Sequence, residues 1–325
     1  MVKMAQNKKL IFIIFILIII NVCSCSTDNI QHNSAQTIKT SSSILNKNDE
    51  LFLKYYALEY NNNYYYTENN SLYKKDKNGN ISRIFTENKD FLLIEIIEEN
   101  LYYEINDSAM NTFKIYKYNL INKTRTILLD SSKNKMLRNN CLKNIIVKNN
   151  KFFIQMSFDL FIFDLKDKKL NKCVDDVREF QVVGNQLFFV DSNSNLYKLN
   201  LTNKSKQTIF MSNKKINCSE FLIINEEVYF FSRKTQKLYF KTPEELICID
   251  NGDIDRQSLT CYNNELYYIL NNGRKKALYK YNKANHKKAK IIECDDYATG
   301  IEIIEEHFLY NNSKEELICK KCRKS

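Results

Sequence analysis

The side chains able to carry chemistry in this 325-residue sequence are ten cysteines, three histidines and a few short strings of aspartate. Eight of the cysteines, at 141, 173, 218, 248, 261, 294, 319 and 322, are scattered over the chain with no dense spacing pattern. This favours free thiols acting as small hydrophobes, as in Leu246-Ile-Cys248, over a disulfide framework. Cys319-Lys-Lys-Cys322 is a lone Cys-x-x-Cys. A structural zinc site wants four ligands, and no second pair completes it. His32, His286 and His307 stand beside no serine, cysteine or metal-ligand signature, and Gly-x-Ser-x-Gly and His-Glu-x-x-His are both missing. Five glycines leave no phosphate-cradling loop. Three strings place oxygen ligands at calcium-like spacing: Asp76-Lys-Asn78-Gly79, Asp191-Ser-Asn193-Ser-Asn195 and Asp250-Asn-Gly-Asp253-Ile-Asp255. None supplies the Gly and distal Glu of a calcium loop, so turns and solvated loops are expected. No catalytic residue, metal or cofactor is assigned, although chemistry by paired carboxylates stays open.

The address comes from the N-terminus. Lys3, Lys8 and Lys9 precede an apolar run from Leu10 to Ile20. At about 1.5 Å per residue such a run reaches only about half of a roughly 30 Å hydrocarbon core, the pattern of a secretory signal. Val22-Cys23-Ser24-Cys25 follows and resembles the lipobox of bacterial lipoproteins, with Ser24 before Cys25. The resemblance implies cleavage after residue 24 and a diacylglycerol on Cys25. Residues 26–49, rich in Ser, Thr, Asn, Gln and Lys, read as a flexible tether. Losing the three leader lysines takes the formal charge from +11 to +8. Such a charge speaks to non-specific attraction by anionic headgroups or wall polymers, not to a site. Export argues against a nucleic-acid partner.

These residues must be held by some repeated element, because the rest of the chain is self-similar. An apolar-aromatic triplet after an Asn/Glu/Gln turn recurs: Asn63-Tyr-Tyr-Tyr66, Asn100-Leu-Tyr-Tyr103, Asn150-Lys-Phe-Phe153, Gln186-Leu-Phe-Phe189, Glu227-Val-Tyr-Phe230, Glu265-Leu-Tyr-Tyr268 and Glu306-His-Phe-Leu309. A Leu-Tyr-like pair trails each one, at 72–73, 115–116, 160–161, 196–197, 238–239, 278–279 and 317–318. Steps of 36 to 45 residues between those pairs match the length of a four-stranded propeller blade. Each unit holds four short β-rich runs between Asn, Gly or Lys turns, and no helical period competes. Asn doublets at 69–70, 149–150, 263–264, 271–272 and 311–312 can make hairpin turns where Gly is scarce, since Asn tolerates positive φ. Runs apolar on both faces, Phe91-Leu-Leu-Ile94 and Leu187-Phe-Phe-Val190, suit sheets sandwiched between sheets. The expected fold is an all-β, seven-bladed propeller over 50–325, its short last blade completed by Glu50–Tyr55.

The repeated Tyr-Tyr…Leu-Tyr-Lys units resemble those of uncharacterised clostridial propeller lipoproteins, related to TolB-like and LDL-receptor-like propellers. The resemblance implies the fold and leaves the activity open. In a propeller the hairpins between second and third strands gather on one face with the connections between blades. That face would collect Arg233, Lys234, Lys237, Arg274, Lys275 and Lys276 beside Asp250, Asp253, Asp255, Asp295 and Asp296. The expectation is a lipid-anchored, monomeric, cell-surface binding or scaffold module, in which these charges meet a protein or an anionic glycopolymer. The rival expectation is an extracellular hydrolase or lyase whose buried carboxylates lie at the channel mouth.

Overall fold

The computed structural model describes residues 58–321, except 108, 139–140, 256–257, 273–274, 295–298, 305–306 and 312–316. The leader, Cys25, the tether and the expected closing strand Glu50–Tyr55 lie outside the described residues, as do Arg274, Asp295, Asp296 and Cys322.

The repeat folds as consecutive antiparallel sheets. The first holds β1 (Leu58–Tyr60), β2 (Asn63–Glu68), β3 (Ser71–Lys75) and β4 (Ile81–Thr86); the second holds β5 (Phe91–Ile97), β6 (Asn100–Asp107), β7 (Thr112–Asn119) and β8 (Arg125–Asp130). The third holds β9 (Leu142–Lys148), β10 (Lys151–Met156), β11 (Asp159–Asp164) and β12 (Lys169–Val174). The fourth holds β13 (Glu179–Val183), β14 (Gln186–Val190), β15 (Leu196–Asn200) and β16 (Lys206–Phe210). The fifth holds β17 (Glu220–Ile224), β18 (Glu227–Ser232), β19 (Lys237–Lys241) and β20 (Leu246–Asp250). In the sixth, the first strand is split into β21 (Asp253–Ile254) and β22 (Thr260–Tyr262), both paired to β23 (Glu265–Asn272); β24 (Lys275–Asn282) and β25 (Lys287–Cys294) complete it. A last sheet has β26 (Thr299–Ile304), β27 (His307–Asn311) and β28 (Leu317–Lys321) among the described residues.

First strands of successive sheets are neighbours: β1 lies beside β5, β5 beside β9, β13 beside β17, β17 beside β22 and β22 beside β26. The sheets therefore fan out from a shared line of first strands, and the core fills the gaps between them. Alternation along a strand sends one set of side chains into each neighbouring gap. On β14, Leu187 and Phe189 pack back with Phe153 and Leu160 of the third sheet. Phe188 and Val190 pack forward with Phe221 and Phe230 of the fifth. This explains the runs that are apolar on both faces.

The two sequence anchors meet across the second and third strands. Tyr66 lies opposite Tyr73, Tyr103 opposite Tyr116, Phe189 opposite Tyr197, Phe230 opposite Tyr239 and Tyr268 opposite Tyr279. Each pair stacks, with ring centroids 5.2–6.3 Å apart. Such contacts add about 0.5–1.5 kcal/mol each beyond area burial. In the third sheet Ile154 pairs with Phe161, so the triplet there is Phe152-Phe153-Ile154, one residue later than the sequence anchor.

Several turns between first and second strands are two residues long with both residues left-handed. Asn61 and Asn62 have φ of 50° and 57°, Asn149 and Asn150 52° and 57°, and Asn263 and Asn264 49° and 61°. Asn69 and Asn70 turn likewise between β2 and β3. Asn271 and Asn272 do not turn: they extend β23, paired with Lys276 and Lys275, because β21 gives that end a partner strand. Asn311 closes β27, and Asn312 lies outside the described residues.

Candidate binding surface on the fifth and sixth sheets

Antiparallel alternation puts the hairpins between second and third strands at one end of the sheets. The connections from each fourth strand to the next sheet lie at the same end. Arg233 and Lys234 lie in the β18–β19 hairpin and Lys237 opens β19; Lys275 and Lys276 open β24; Asp250 ends β20; Asp253 lies on β21 and Asp255 follows it. The described members of the sequence-predicted set thus share one end, where several are met by partners.

Asp250 is 4% exposed. Its carboxylate accepts from the Tyr268 hydroxyl at 2.8 Å, from Lys288 Nζ at 2.8 and 3.0 Å, and from the Gly252 N–H at 2.9 Å. A Cβ on Gly252 would come within 3.2 Å of Leu270 Cδ2 and 3.3 Å of Asp250 Oδ1, so the chain passes closest there. Burial, and then the Asp250 charge, push the Tyr268 hydroxyl well above the usual tyrosine range, so it stays a donor. Asp255 pairs with Lys276 at 2.8 Å. Ser258 Oγ accepts from the Ile269 N–H at 2.7 Å, which fixes the break between β21 and β22. Arg233 reaches Glu220 of β17 at 3.6 Å. Its N–H donates to Ser219 Oγ, within a buried network of Asn217, Ser219 and Ser232. Lys234 Nζ donates to the Asn213 carbonyl at 2.7 Å. Lys275 lies 3.7 Å from Glu293, whose carboxyl is held below its ordinary range first by Lys290 and then by Lys275. Asp253 is exposed and Lys237 half-exposed. The calcium-like string is dismantled by Lys288 and Lys276, and no group of three metal-ligating side chains occurs among the described residues. The other two strings are turns: Asp76 accepts from the N–H groups of Asn78 and Asn80, and Asp191 from that of Asn195.

Sequence reading missed Tyr268, Lys288 and Glu220, and with them an arrangement that recurs. Glu87, just after β4, accepts from the Tyr103 hydroxyl at 2.6 Å and from Arg125 at 2.9 Å. Arg125 lies 4.1 Å over the Tyr116 ring, as Lys288 lies 5.3 Å over Tyr279. In both places a carboxylate leaving one sheet clasps a tyrosine of the second strand and a cation of the fourth strand of the next. The sequence signal was a hydroxyl at the third triplet position, present in Tyr66, Tyr103 and Tyr268, where Phe189 and Phe230 have none.

Burial perturbs two other carboxyls. Glu104 on β6, 9% exposed, is pushed up to about 7 by desolvation. Glu95 on β5 is also raised, by burial. Both lie on the face of the second sheet turned to the third, Glu95 opposite Tyr102 and Glu104 opposite Leu92.

The five cysteines whose side chains are described are free thiols, as the sequence suggested. As small hydrophobes they divide differently: Cys218 is buried, Cys173 half-buried, and Cys141, Cys248 and Cys261 are exposed. Cys248 faces outward because β20 is an outer strand with one face uncovered.

No family model matches the chain, and no curated protein does. Solved structures do. The dihydro-heme d1 dehydrogenase NirN superposes with a TM-score of 0.56 at 11% identity, over 80% of this chain and 61% of that one. A prolyl endopeptidase gives 0.55 at 12% identity, over 79% and 44%. The β-propeller domain of the Trilobed protease from Pyrococcus furiosus gives 0.51 at 11% identity, over 80% and 90%. The fold is that of the β-propeller proteins. At such identities the likeness reaches no further than the fold, and the neighbours' differing activities underline it. This chain spans under two thirds of the length of the first two, and the third is described as having an open velcro topology.

Proposed function

We propose that this chain is an exported lipoprotein held by lipid on Cys25 at the outer face of the cell membrane. Residues 26–49 tether a closed, seven-bladed propeller over 50–325, which acts as a monomeric, non-catalytic binding module for a protein or an anionic wall glycopolymer. The observation that carries the binding reading is the ordered charged rim at the β18–β19 and β23–β24 ends. Arg233, Lys234 and Lys276 are already fixed by Glu220, Asn213 and Asp255. Side chains ordered before binding lose less entropy when a partner arrives. Their charges are partly balanced, so the surface suits a partner offering both signs or a spaced row of anions.

The test is capture from membranes and wall fragments by the immobilised protein. Wild type is expected to retain a protein or phosphate-rich polymer, and Arg233→Glu/Lys234→Glu/Lys276→Glu to release it. Equal retention by both would remove these residues from the reading. Palmitate labelling of wild type but not of Cys25→Ser checks the anchor separately.

Glu104 and Glu95 favour a second reading, a carboxylate-using hydrolase or lyase. A carboxyl lifted to about 7 is protonated enough near neutrality to serve as a general acid. Turnover of wall glycans by wild type that Glu104→Gln abolishes would establish it; no turnover ends it.

A further inference from the structure

A different part of the same end, on the second and third sheets, is basic and apolar together. Met110, in the β6–β7 hairpin, is 73% exposed, and Phe158, between β10 and β11, is 48% exposed. Met136, in the connection between the two sheets, is 42% exposed. Its part next to Met136 is pinned: Leu137 is fully buried in the core, and Arg138 donates to the Ser132 carbonyl at 2.7 Å, so Met136 is held at the surface.

Hydrogen bonds stitch the three positions into one surface. The Phe113 N–H donates to Ser131 Oγ at 2.8 Å, joining the Met110 hairpin to the connection. The Ser157 N–H donates to the Cys141 carbonyl at 2.7 Å, joining the connection to the Phe158 turn. From Ser131 to Lys143 the sequence has Lys133, Lys135, Arg138 and Lys143 and no acid. Lys143 Nζ stands 4.2 Å over the Phe158 ring. The nearby Asp107 and Asp130 are countered by Lys89 at 2.5 Å and Lys114 at 3.6 Å. Beside Phe158, Asp159 and Asp175 share Lys172, and Asp176 is held by Ser192, so Lys133, Lys135, Arg138 and Lys143 still outnumber the acids of this surface. Finally, β1 runs toward its turn at 61–62, so the chain enters Leu58 from this same end of the sheets.

We propose that this end of the second and third sheets docks on the anionic headgroup surface of the membrane, Met110, Met136 and Phe158 entering the interface under a ring of Lys and Arg. Unbranched and aromatic side chains flanked by basic residues are the composition that partitions into an anionic interface, and methionine adapts to an irregular one. The docking rests on the lipid-anchored reading for bringing the chain to the membrane.

The sequence contains no tryptophan, so a single one reports its own surroundings. Phe158→Trp is compared with Ile121→Trp, which replaces a 73% exposed residue at the opposite end of the second sheet. The full chain is reconstituted into vesicles of brominated phosphatidylglycerol and phosphatidylcholine. Docking predicts blue-shifted, strongly quenched emission from Trp at 158 and none from 121. The quenching should be lost in vesicles of brominated phosphatidylcholine alone. Adding Lys133→Gln/Lys135→Gln/Arg138→Gln should weaken docking by about a hundredfold, at about fivefold per charge. Equal emission from both tryptophans overturns the proposal. Flotation separates the two readings: a chain that floats with Trp at 158 unquenched keeps its anchor and loses the docking face, and one that does not float loses both.

Discussion

Asp250 and Glu87 are buried carboxylates whose neighbours decide what they do. Each has a tyrosine hydroxyl and a cation within hydrogen-bond reach. A hydrogen bond to a charged acceptor contributes about 1.5–3 kcal/mol, and one that tethers two sheets is felt in the cooperativity of both. Tyr268→Phe and Tyr103→Phe are each expected to cost about 1–3 kcal/mol, read as a lower urea midpoint. A change below about 0.5 kcal/mol would mean the carboxylate finds water instead. Glu104 acts in the opposite sense. Its folded pKa of about 7 lies above the ordinary 4.5, so between those values the unfolded chain releases the proton first. Stability is therefore full below about pH 4.5, falls as pH rises toward 7, and then levels, a loss of about 3 kcal/mol in all. Glu104→Gln should flatten that slope and raise stability at neutral pH; an unchanged pH profile would show that the carboxyl reaches solvent.

At the scale of the strand and turn, the sequence was legible wherever one physical demand dominated. Stacked pairs such as Tyr103–Tyr116 were visible as anchors because directly opposed aromatics need a fixed register. The Asn doublets at 149–150 and 263–264 were visible because left-handed turns need residues that tolerate positive φ. Asn271 and Asn272 misled because β21, a two-residue strand set before the break in the first strand, lengthens its partner. No local signal announces that. Some turns carry residues ill-suited to them. Glu98 at φ 55° pays a left-handed penalty of about 1 kcal/mol or more that glycine escapes, against a smaller entropic cost. Glu98→Gly is expected to stabilise the protein by about 0.5–1 kcal/mol, measured by chemical denaturation, while Asn150→Val should destabilise it by about 1–2 kcal/mol. A destabilising Glu98→Gly would mean that its side chain, not its backbone, holds the hairpin. The charged rim was half legible for the same kind of reason. Sequence order put Arg233, Lys276 and Asp255 at one end of the sheets. Glu220, which pairs with Arg233, and Lys288, which pairs with Asp250, come from strands whose side-chain direction depends on packing.

At the scale of the whole domain, stability is shared through gaps between sheets, each filled from both sides. Leu187 and Phe189 serve one gap and Phe188 and Val190 the next, so no sheet is stable alone and the ends of the array are its weak places. β28 is the last strand of a three-stranded sheet among the described residues. A ring-closing strand would satisfy the N–H and C=O groups along the edge beyond it. Glu50–Tyr55 is short and rich in apolar residues, as such a strand would be, whereas 26–49 has the composition of a tether. Two deletions separate their roles. Removing 26–49 should leave the thermal midpoint where it is, since a solvated tether contributes no buried surface. Removing 50–55 should lower the midpoint by several degrees and broaden the transition, because the last sheet would then melt ahead of the rest. If the second deletion is as silent as the first, the ring is not closed by this strand.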